Sequence, residues 1–148
     1  MLPDYPYTEI PDEQLLALCL FREAEGESYL GKRAVAHVIN NRMNNADGSN
    51  QWPHSIKGVI LARNQFTSFA ETGPRTTVWP DDNDPVFEDC CTIARDVIAG
   101  TDLDITGGAV YYANLLTMDI GGWFARNISS RPDLHPVTVT LGKHTFFK

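Results

Sequence analysis

The hydrophobic pattern of the chain changes its period near residue 100, and this change limits the fold more than any other feature of the sequence. Between about residues 12 and 99, apolar residues recur at a spacing of three and four, in segments that glycine or proline separates. That spacing is typical of helices. Beyond Gly100 the apolar residues form short runs and alternating stretches, which are typical of strands. The order predicts an α+β fold whose helices and strands are segregated.

Four helices are expected in the first part, at about residues 12–23, 30–44, 56–61 and 85–99. We expect Asp12 to cap the first helix and Ser55 to cap the third, because their side-chain oxygens accept hydrogen bonds from the first turn. Gly26 is expected to end the first helix. Pro85 suits the first position of the fourth helix, and Gly100 is expected to stop it.

Three strands are expected in the second part, at residues 109–113, 137–141 and 144–147. The last two flank Gly142 and Lys143, which predicts a hairpin with a two-residue turn. Residues 1–11 contain three prolines and are expected to form an extended arm, and residues 71–85 a long loop rich in turns. A length of 148 residues suits a single domain over residues 1–148.

The charge balance argues against two classes of partner. The chain has 12 basic and 19 acidic residues and a net charge of −7, so it lacks the basic excess that phosphate binding needs. We therefore expect no nucleic-acid partner. No apolar run approaches the roughly 18 residues that cross a bilayer, and the first residues do not resemble a signal peptide. We expect neither membrane insertion nor export encoded in this sequence.

The cysteines and histidines predict no metal site and no cofactor. Cys19, Cys90 and Cys91 are odd in number and form no Cys-x-x-Cys motif, so buried thiols in a reducing compartment are expected. The four histidines are scattered without the spacing of a zinc site. The acidic segment 81–84 lacks the glycine and final glutamate of a calcium loop, so it is expected to be a turn and helix cap.

Three carboxylates, Glu23, Glu25 and Glu27, lie at the end of the first helix, and helix geometry gives them different orientations. At 3.6 residues per turn, Glu23 lies on the side of Leu16, Cys19 and Leu20, whereas Glu25 lies roughly opposite and faces water. A carboxyl among aliphatic side chains at a helix C-terminus is expected to have a raised pKa. Such a group donates a proton near neutral pH, as glycosidic cleavage requires.

A structural explanation of the same carboxylates remains open. Most glutamates on helices are solvated, and Arg22 or Lys32 is close enough in sequence to pair with Glu23 and hold its pKa down.

Further along the chain, several blocks occur in an order that resembles one family. They are FREAEGESYLGKRAVAHVINNRM (21–43), WPHSIKGVI (52–60), NQFTSF (64–69), ITGGAVYYAN (105–114), WFAR (123–126) and LGKHTFF (141–147). The first block is similar to G-E-A-R-G-E followed by a glycine and A-V-A-x-V-x-x-N-R, the N-terminal motif of the SleB-type cell-wall hydrolases. This family is named for spore cortex-lytic enzymes, and the resemblance covers nearly the whole chain from about residue 12.

The resemblance implies a lysozyme-like fold and a lytic transglycosylase that acts on peptidoglycan between N-acetylmuramic acid and N-acetylglucosamine. It places the catalytic acid and base at Glu23, the residue that helix geometry also selects, and a second motif glutamate at Glu27. Two positions depart from the family pattern. Glu25 replaces the usual arginine or lysine, and Arg22 stands where glycine is frequent.

Further substrate contacts are expected by analogy with the family. Gln65, Phe66 and Thr67 are expected to line the cleft beside Glu23. Of Tyr111 and Tyr112, which alternate on a strand, one is expected to pack inward and the other to face the sugar.

Two aromatic residues near the chain's end have two open interpretations each. Trp123 either stacks on a sugar or is buried where the helices meet the sheet. His144 is expected to be structural rather than part of the site.

Several alternatives to the transglycosylase stay open at this point. They are a hydrolytic muramidase, a metal-dependent amidase or peptidase acting on the same polymer, and a glycan-binding module without catalysis. We expect the protein to be a monomer that binds the glycan strands of peptidoglycan. A chain without an export signal resembles a phage endolysin, so we expect it in the cytoplasm of the producing or infected bacterium until its release to the cell wall.

Overall fold

The helices precede the sheet, as the sequence predicts. The computed structural model describes residues 6–62, 65–69, 76 and 78–148. Its helices are α1 (Asp12–Glu23), α2 (Tyr29–Met43), α3 (Ile56–Leu61) and α4 (Pro85–Ala99), and its strands are β1 (Tyr111–Ala113), β2 (Val137–Leu141) and β3 (His144–Phe147). The α+β class and all four predicted helices are confirmed. Most of the predicted loop 71–85 before residue 78, and residues 1–5 of the predicted arm, lie outside the described residues.

Helix α1 forms the centre of the helical lobe. Its residues 15–20 are all fully buried, and a helix that is apolar all round is a core helix. Helices α3 and α4 pack against it, together with α2. This arrangement brings the C-terminal end of α1 to the boundary between the lobe and the sheet.

Side-chain caps define where three of the helices begin. Ser28, Ser55 and Asp84 accept hydrogen bonds from backbone N–H groups in the first turns of α2, α3 and α4. The predictions for Ser55 and for Pro85 as the first residue of α4 are confirmed. The prediction for Asp12 was wrong: Asp12 is already helical, and its carboxylate forms an ion pair with Lys57 at 3.3 Å instead of capping the helix.

The three strands form an antiparallel sheet in the order β1-β3-β2. The predicted hairpin is confirmed, and Gly142 has the positive φ of 58° that its two-residue turn requires. Strand β1 begins at Tyr111 rather than at residue 109, and Tyr112 lies opposite Phe146 of β3. Phe146 is fully buried beneath Val38 of α2, so the sheet packs on the helical lobe through β3.

Two local structures differ from the sequence prediction. Within the arm that was expected to be extended, Tyr7–Glu9 form a 3₁₀ turn, and the Glu9 N–H donates to the Pro6 carbonyl. The physical reason is that Tyr7 is held inward, where its hydroxyl accepts a hydrogen bond from Arg22 and its ring packs on Phe69. The second difference is a π-helical turn over Ala125–Ser129, which no pattern in the sequence predicts.

The three thiols are free, as the cysteine pattern predicts. Cys19 and Cys90 are fully buried and Cys91 is half-buried. Burial raises the pKa of each of these thiols, which makes them unreactive at neutral pH. In the part of the chain that the structure describes, no helix is long and apolar enough to cross a membrane.

Polar contacts join α2 to the segment that leads into β1. The Asn41 amide donates to the Ala109 carbonyl and to the Asp104 carboxylate, both at 3.0 Å. His37 Nε2 lies 2.6 Å from the Asp102 carboxylate, which also accepts a hydrogen bond from Arg33. The Asn41 contacts fix the start of β1, and therefore its two tyrosines, relative to α2. The Asp102 contacts fasten the chain just after α4 to α2, nine residues before Tyr111.

The carboxylate of Asp104 is expected to make this junction sensitive to acid. Burial opposes its ionisation, but hydrogen bonds from Thr106, Asn41 and Gly108 outweigh burial and lower its pKa below the ordinary 3.8. Such a group stabilises the fold above its ordinary pKa, and the contribution is lost as the pH falls through the lower folded pKa. We expect Asp104→Asn to lower the free energy of unfolding at neutral pH and to flatten its decline below about pH 4. Urea unfolding at stepped pH measures both, with the exposed Asp133→Asn as control; an unchanged acid slope in Asp104→Asn would contradict the prediction.

Candidate active site

Glu23 is the last residue of α1, and its side chain reaches the wall of a cleft. It is half-buried, on the same side of the helix as Cys19 and Leu20, which are fully buried. The predicted orientation is therefore confirmed. The Ser68 hydroxyl donates to Glu23 Oε1 at 2.7 Å, and the Ser68 N–H lies 3.4 Å from the same oxygen. These contacts hold the carboxyl in one place beside the cleft.

The basic residues that flank Glu23 in sequence are engaged elsewhere. Arg22 donates its described hydrogen bonds to three backbone carbonyls and to the Tyr7 hydroxyl. The Lys32 ammonium donates to the backbone carbonyl of Glu27 at 2.5 Å. The structure therefore shows neither of the pairings with Glu23 that the sequence left open. Glu25 is exposed, as helix geometry predicts.

The cleft beside Glu23 has a volume of about 280 Å³ and is enclosed by both halves of the fold. Its lining residues are Glu23, Arg42, Trp52, Gln65, Phe66, Tyr111, Tyr112 and Phe124. Five of the residues predicted from the sequence are thus brought together. Phe66 is 7% exposed and forms part of the apolar floor, whereas Gln65 is exposed.

Both tyrosines of β1 line the cleft, and their rings alternate between two apolar clusters as the strand pattern predicts. Which of them contacts a sugar stays a prediction. Tyr111 is 6% exposed and packs edge-on against Trp52 and Phe124. Tyr112 is half-buried and stacks on Phe146 of the neighbouring strand. The two rings pack in different apolar clusters. Burial raises the pKa of Tyr112, so its hydroxyl stays protonated and neutral.

The other predicted binding residues lie outside the cleft lining. Thr67 is exposed at the start of the 3₁₀ turn Thr67–Phe69, which carries Ser68. Trp123 is 59% exposed, so the alternative that it is buried at the junction is wrong. Its contact with sugar stays a prediction, and its neighbour Phe124 lines the cleft instead.

Glu27 lies beneath the turn of the β2–β3 hairpin. Its Oε1 is 3.5 Å from His144 Nδ1, and its Oε2 would lie 3.6 Å from a side chain added at Gly142. The ring of His144 in turn packs edge-on against Tyr112. Glu27 therefore reaches the cleft through His144 and Tyr112, and its part in substrate binding stays a prediction.

Sequence reasoning missed Arg42, Trp52, Phe124 and Ser68. Arg42 is 7% exposed, donates to the Val110 carbonyl at 2.7 Å, and lies over the ring of Trp52 at 4.6 Å. Burial lowers its pKa, although an arginine remains charged. Arg42 matches the last residue of the family motif in the first block, and Trp52 opens the second block, so their positions in these blocks were the available signal.

Among the residues that the structure describes, no group of three His, Cys, Asp or Glu side chains is arranged to hold a metal ion. Within the acidic segment 81–84, Asp84 caps α4 through its carboxylate. The residues around Glu23 offer one carboxylate, one guanidinium, one amide and several aromatic rings. Apolar rings with a few convergent polar groups are the usual lining of a ligand-binding cleft.

A mainly helical lobe, a small antiparallel sheet and a cleft with a glutamate at the end of the central helix define a lysozyme-like domain. Residues 26–147 match the family described as Cell Wall Hydrolase, and the chain belongs to this family.

Solved structures are similar over nearly the whole chain. The catalytic domain of the germination-specific lytic transglycosylase SleB from Bacillus anthracis is 30% identical and matches with a TM-score of 0.67 over 100% of both chains. The catalytic domain of the Bacillus cereus SleB protein is 29% identical and matches with a TM-score of 0.64 over 93% of this chain and 89% of that one. These matches confirm the lysozyme-like fold that the resemblance implied.

Relatives in sequence carry the name spore cortex-lytic enzyme. The one from Oceanobacillus iheyensis is 36% identical over 93% of this chain and 41% of its own length. The one from Halalkalibacterium halodurans is 38% identical over 91% of this chain and 34% of its own length. The chain therefore spans less than half the length of these relatives.

Proposed function

We propose that the protein cleaves the glycosidic bond between N-acetylmuramic acid and N-acetylglucosamine in peptidoglycan, as a lytic transglycosylase with Glu23 as its single acid and base. One observation carries this proposal. Among the described residues that line the cleft, Glu23 is the only carboxylate. Inverting and most retaining glycosidases use a pair of carboxyl groups on either side of the bond. Intramolecular transglycosylation needs one, because the substrate supplies its own nucleophile.

In the first step the protonated carboxyl of Glu23 donates its proton to the glycosidic oxygen. The bond between C1 of the muramic acid and that oxygen breaks, and the N-acetylglucosamine leaves with a hydroxyl group. Positive charge develops on C1 and the ring oxygen. The glutamate, now an anion next to the cleft, stabilises this charge through space.

In the second step the 6-hydroxyl of the same muramic acid attacks C1. A new C1–O6 bond closes a 1,6-anhydro ring, and the hydroxyl proton returns to Glu23. No water is consumed, and the carboxyl is restored for the next cycle. General acid and base catalysis by one group in this way is expected to supply about 10² to 10⁴ in rate at each step.

The neighbours of Glu23 suit the rings and polar groups of a sugar. Trp52, Phe66 and Phe124 provide apolar surface for the faces of sugar rings, while the Gln65 amide and the neutral Tyr112 hydroxyl offer hydrogen bonds to its polar groups. Ser68 keeps the carboxyl in one orientation through the bond to Oε1, which is the kind of preorganisation that proton transfer needs.

Product analysis tests the proposal. We expect mass spectrometry of digested sacculi to show muramic ends that are lighter by one water than reducing ends, because the anhydro ring forms without hydrolysis. Reducing ends in their place would identify a hydrolytic muramidase and overturn the transglycosylase step. Free amino groups released from cut stem peptides, with activity lost to a chelator, would instead identify an amidase. Binding to sacculi without any soluble fragment would identify a glycan-binding module.

A further inference from the structure

Arg22 is fully enclosed although it carries a charge, and it lies outside the cleft lining. Its side chain is 2% exposed. Its guanidinium donates to the carbonyls of Ser68 at 2.9 Å, Thr76 at 3.2 Å and Val78 at 2.8 Å, and to the Tyr7 hydroxyl at 3.0 Å. One side chain of α1 thus ties together the N-terminal turn and two separate parts of the segment between α3 and α4.

Three aromatic rings enclose the same guanidinium. Its carbon lies 4.8 Å from the ring centre of Trp79, 5.0 Å from that of Phe69 and 5.5 Å from that of Tyr7. A buried charge is costly unless its donors are satisfied. Here neutral oxygens and ring faces satisfy Arg22 together, so the charge holds these segments in one arrangement.

Ser68 connects this arrangement to the proposed catalytic carboxyl. Its carbonyl accepts from Arg22, while its hydroxyl donates to Glu23 Oε1 at 2.7 Å. Ser68 is itself 2% exposed, so it has little freedom to move. Adjacent helical residues project about 100° apart, and Arg22 and Glu23 therefore hold Ser68 from two directions.

From this geometry we infer that Arg22 is a positioning residue: it fixes Ser68, and through Ser68 it fixes the carboxyl of Glu23 in its productive orientation. The inference rests on the proposed function of Glu23. It assigns Arg22 no contact with substrate, and it places the effect of Arg22 on the rate of the chemical step rather than on binding.

The sharpest variant is Arg22→Lys. Lysine keeps the charge and most of the length, but its single ammonium cannot reach three carbonyls in the planar arrangement of a guanidinium. We expect kcat on soluble glycan strands to fall about tenfold to a hundredfold, because a displacement of a catalytic group by about 1 Å can cost that much. KM is expected to change less than about threefold. Thermal unfolding followed by circular dichroism checks that the variant is folded at the assay temperature.

Arg33→Lys is the matched control. Arg33 also fastens a helix to a distant segment, through the Asp102 carboxylate at 3.1 Å, but it does not line the cleft. We expect this variant to keep the wild-type kcat. If both lysine variants lost kcat equally, the effect of Arg22 would be general loosening of the fold, and the inference would be wrong.

A double-mutant cycle with Ser68→Ala tests the proposed route. If Arg22 acts through Ser68, then Arg22→Lys lowers kcat in the wild-type background but lowers it little further in the Ser68→Ala background. The pH–activity profiles of the two single variants are also expected to be displaced together, because both loosen the same carboxyl. Additive losses, or a displaced profile in only one of the single variants, would overturn the inference. If Arg22→Lys does not fold, Ser68→Ala alone tests the route, because an unchanged kcat in that variant would overturn the inference.

The same assay separates this inference from the function on which it rests. If the wild type releases no glycan fragments, or if Glu23→Gln releases as many as the wild type, the proposed function fails. If the wild type is active and Glu23→Gln is not, but Arg22→Lys keeps the wild-type kcat, only the inference about Arg22 fails.

Discussion

Replacing Glu23 with glutamine is expected to lower the rate of glycan cleavage by at least about a thousandfold, the largest effect that any single substitution in the cleft should have. Glutamine keeps the size of the side chain and still accepts a hydrogen bond from Ser68. It can neither donate a proton to the glycosidic oxygen nor accept one from the 6-hydroxyl. Since the proposed reaction assigns both transfers to this carboxyl, both steps lose their catalyst together. Release of soluble muropeptides from purified sacculi measures the loss.

Glu13→Gln provides the control for that experiment. Glu13 lies in the first turn of the same helix and is exposed, so this variant is expected to cleave as fast as the wild type. Unchanged sacculus binding by Glu23→Gln would show that the loss concerns chemistry and not recognition. A Glu23→Gln variant that retains more than about a tenth of the wild-type rate would rule out Glu23 as the only acid and base.

The elements of the fold were predictable because their signals are local. Ser55 caps α3, Pro85 opens α4, Gly100 ends it in the left-handed region with φ of 76°, and Gly142 turns the hairpin. Each of these residues acts within four positions of itself. The prediction failed at Asp12 and at Tyr7, whose side chains have partners far away in sequence, Lys57 and Arg22.

The position of Glu23 was also predictable, because helix periodicity alone places it beside the buried Cys19 and Leu20. What holds Glu23 was not predictable in the same way. Ser68 follows 45 positions later, in a turn whose location depends on Arg22 and on the rings around it. No periodicity in the sequence encodes such a contact.

The two tyrosines show a different limit of pattern reasoning. Strand alternation puts neighbouring side chains on opposite faces, and Tyr111 and Tyr112 do enter different apolar clusters. Both nevertheless line the cleft, since β1 is an edge strand, so alternation alone could not decide which ring meets the substrate. For Trp123 the pattern left burial and sugar stacking open; its ring is 59% exposed, and its neighbour Phe124 lines the cleft.

Replacing Arg42 with alanine is expected to cause the largest loss of stability among the cleft residues, about 3 kcal/mol, and to lower the melting temperature by roughly 10 °C. Arg42 is 7% exposed and makes its 2.7 Å hydrogen bond to the carbonyl of Val110, a fully buried residue. Alanine leaves that carbonyl without its donor, removes the cation from the face of Trp52, and opens a cavity between α2 and β1. Calorimetry of the two proteins measures the difference.

Arg95→Ala is the control for this loss of stability, because Arg95 is an arginine on the protein surface. The side chain of Arg95 is 60% exposed in a surface pair with Asp96, so its removal is expected to leave the melting temperature nearly unchanged. Arg42→Lys separates charge from shape at the cleft. Lysine can keep the bond to Val110 but not also the 3.3 Å bond to the Gln65 amide oxygen, because it lacks the second arm of the guanidinium. We therefore expect Arg42→Lys to keep more than half of the stability that Arg42→Ala loses. It should keep a smaller share of the cleavage rate, since Gln65 lines the cleft together with Glu23. A melting temperature of Arg42→Ala equal to that of Arg95→Ala would show that Arg42 does not fasten β1 to the helical lobe.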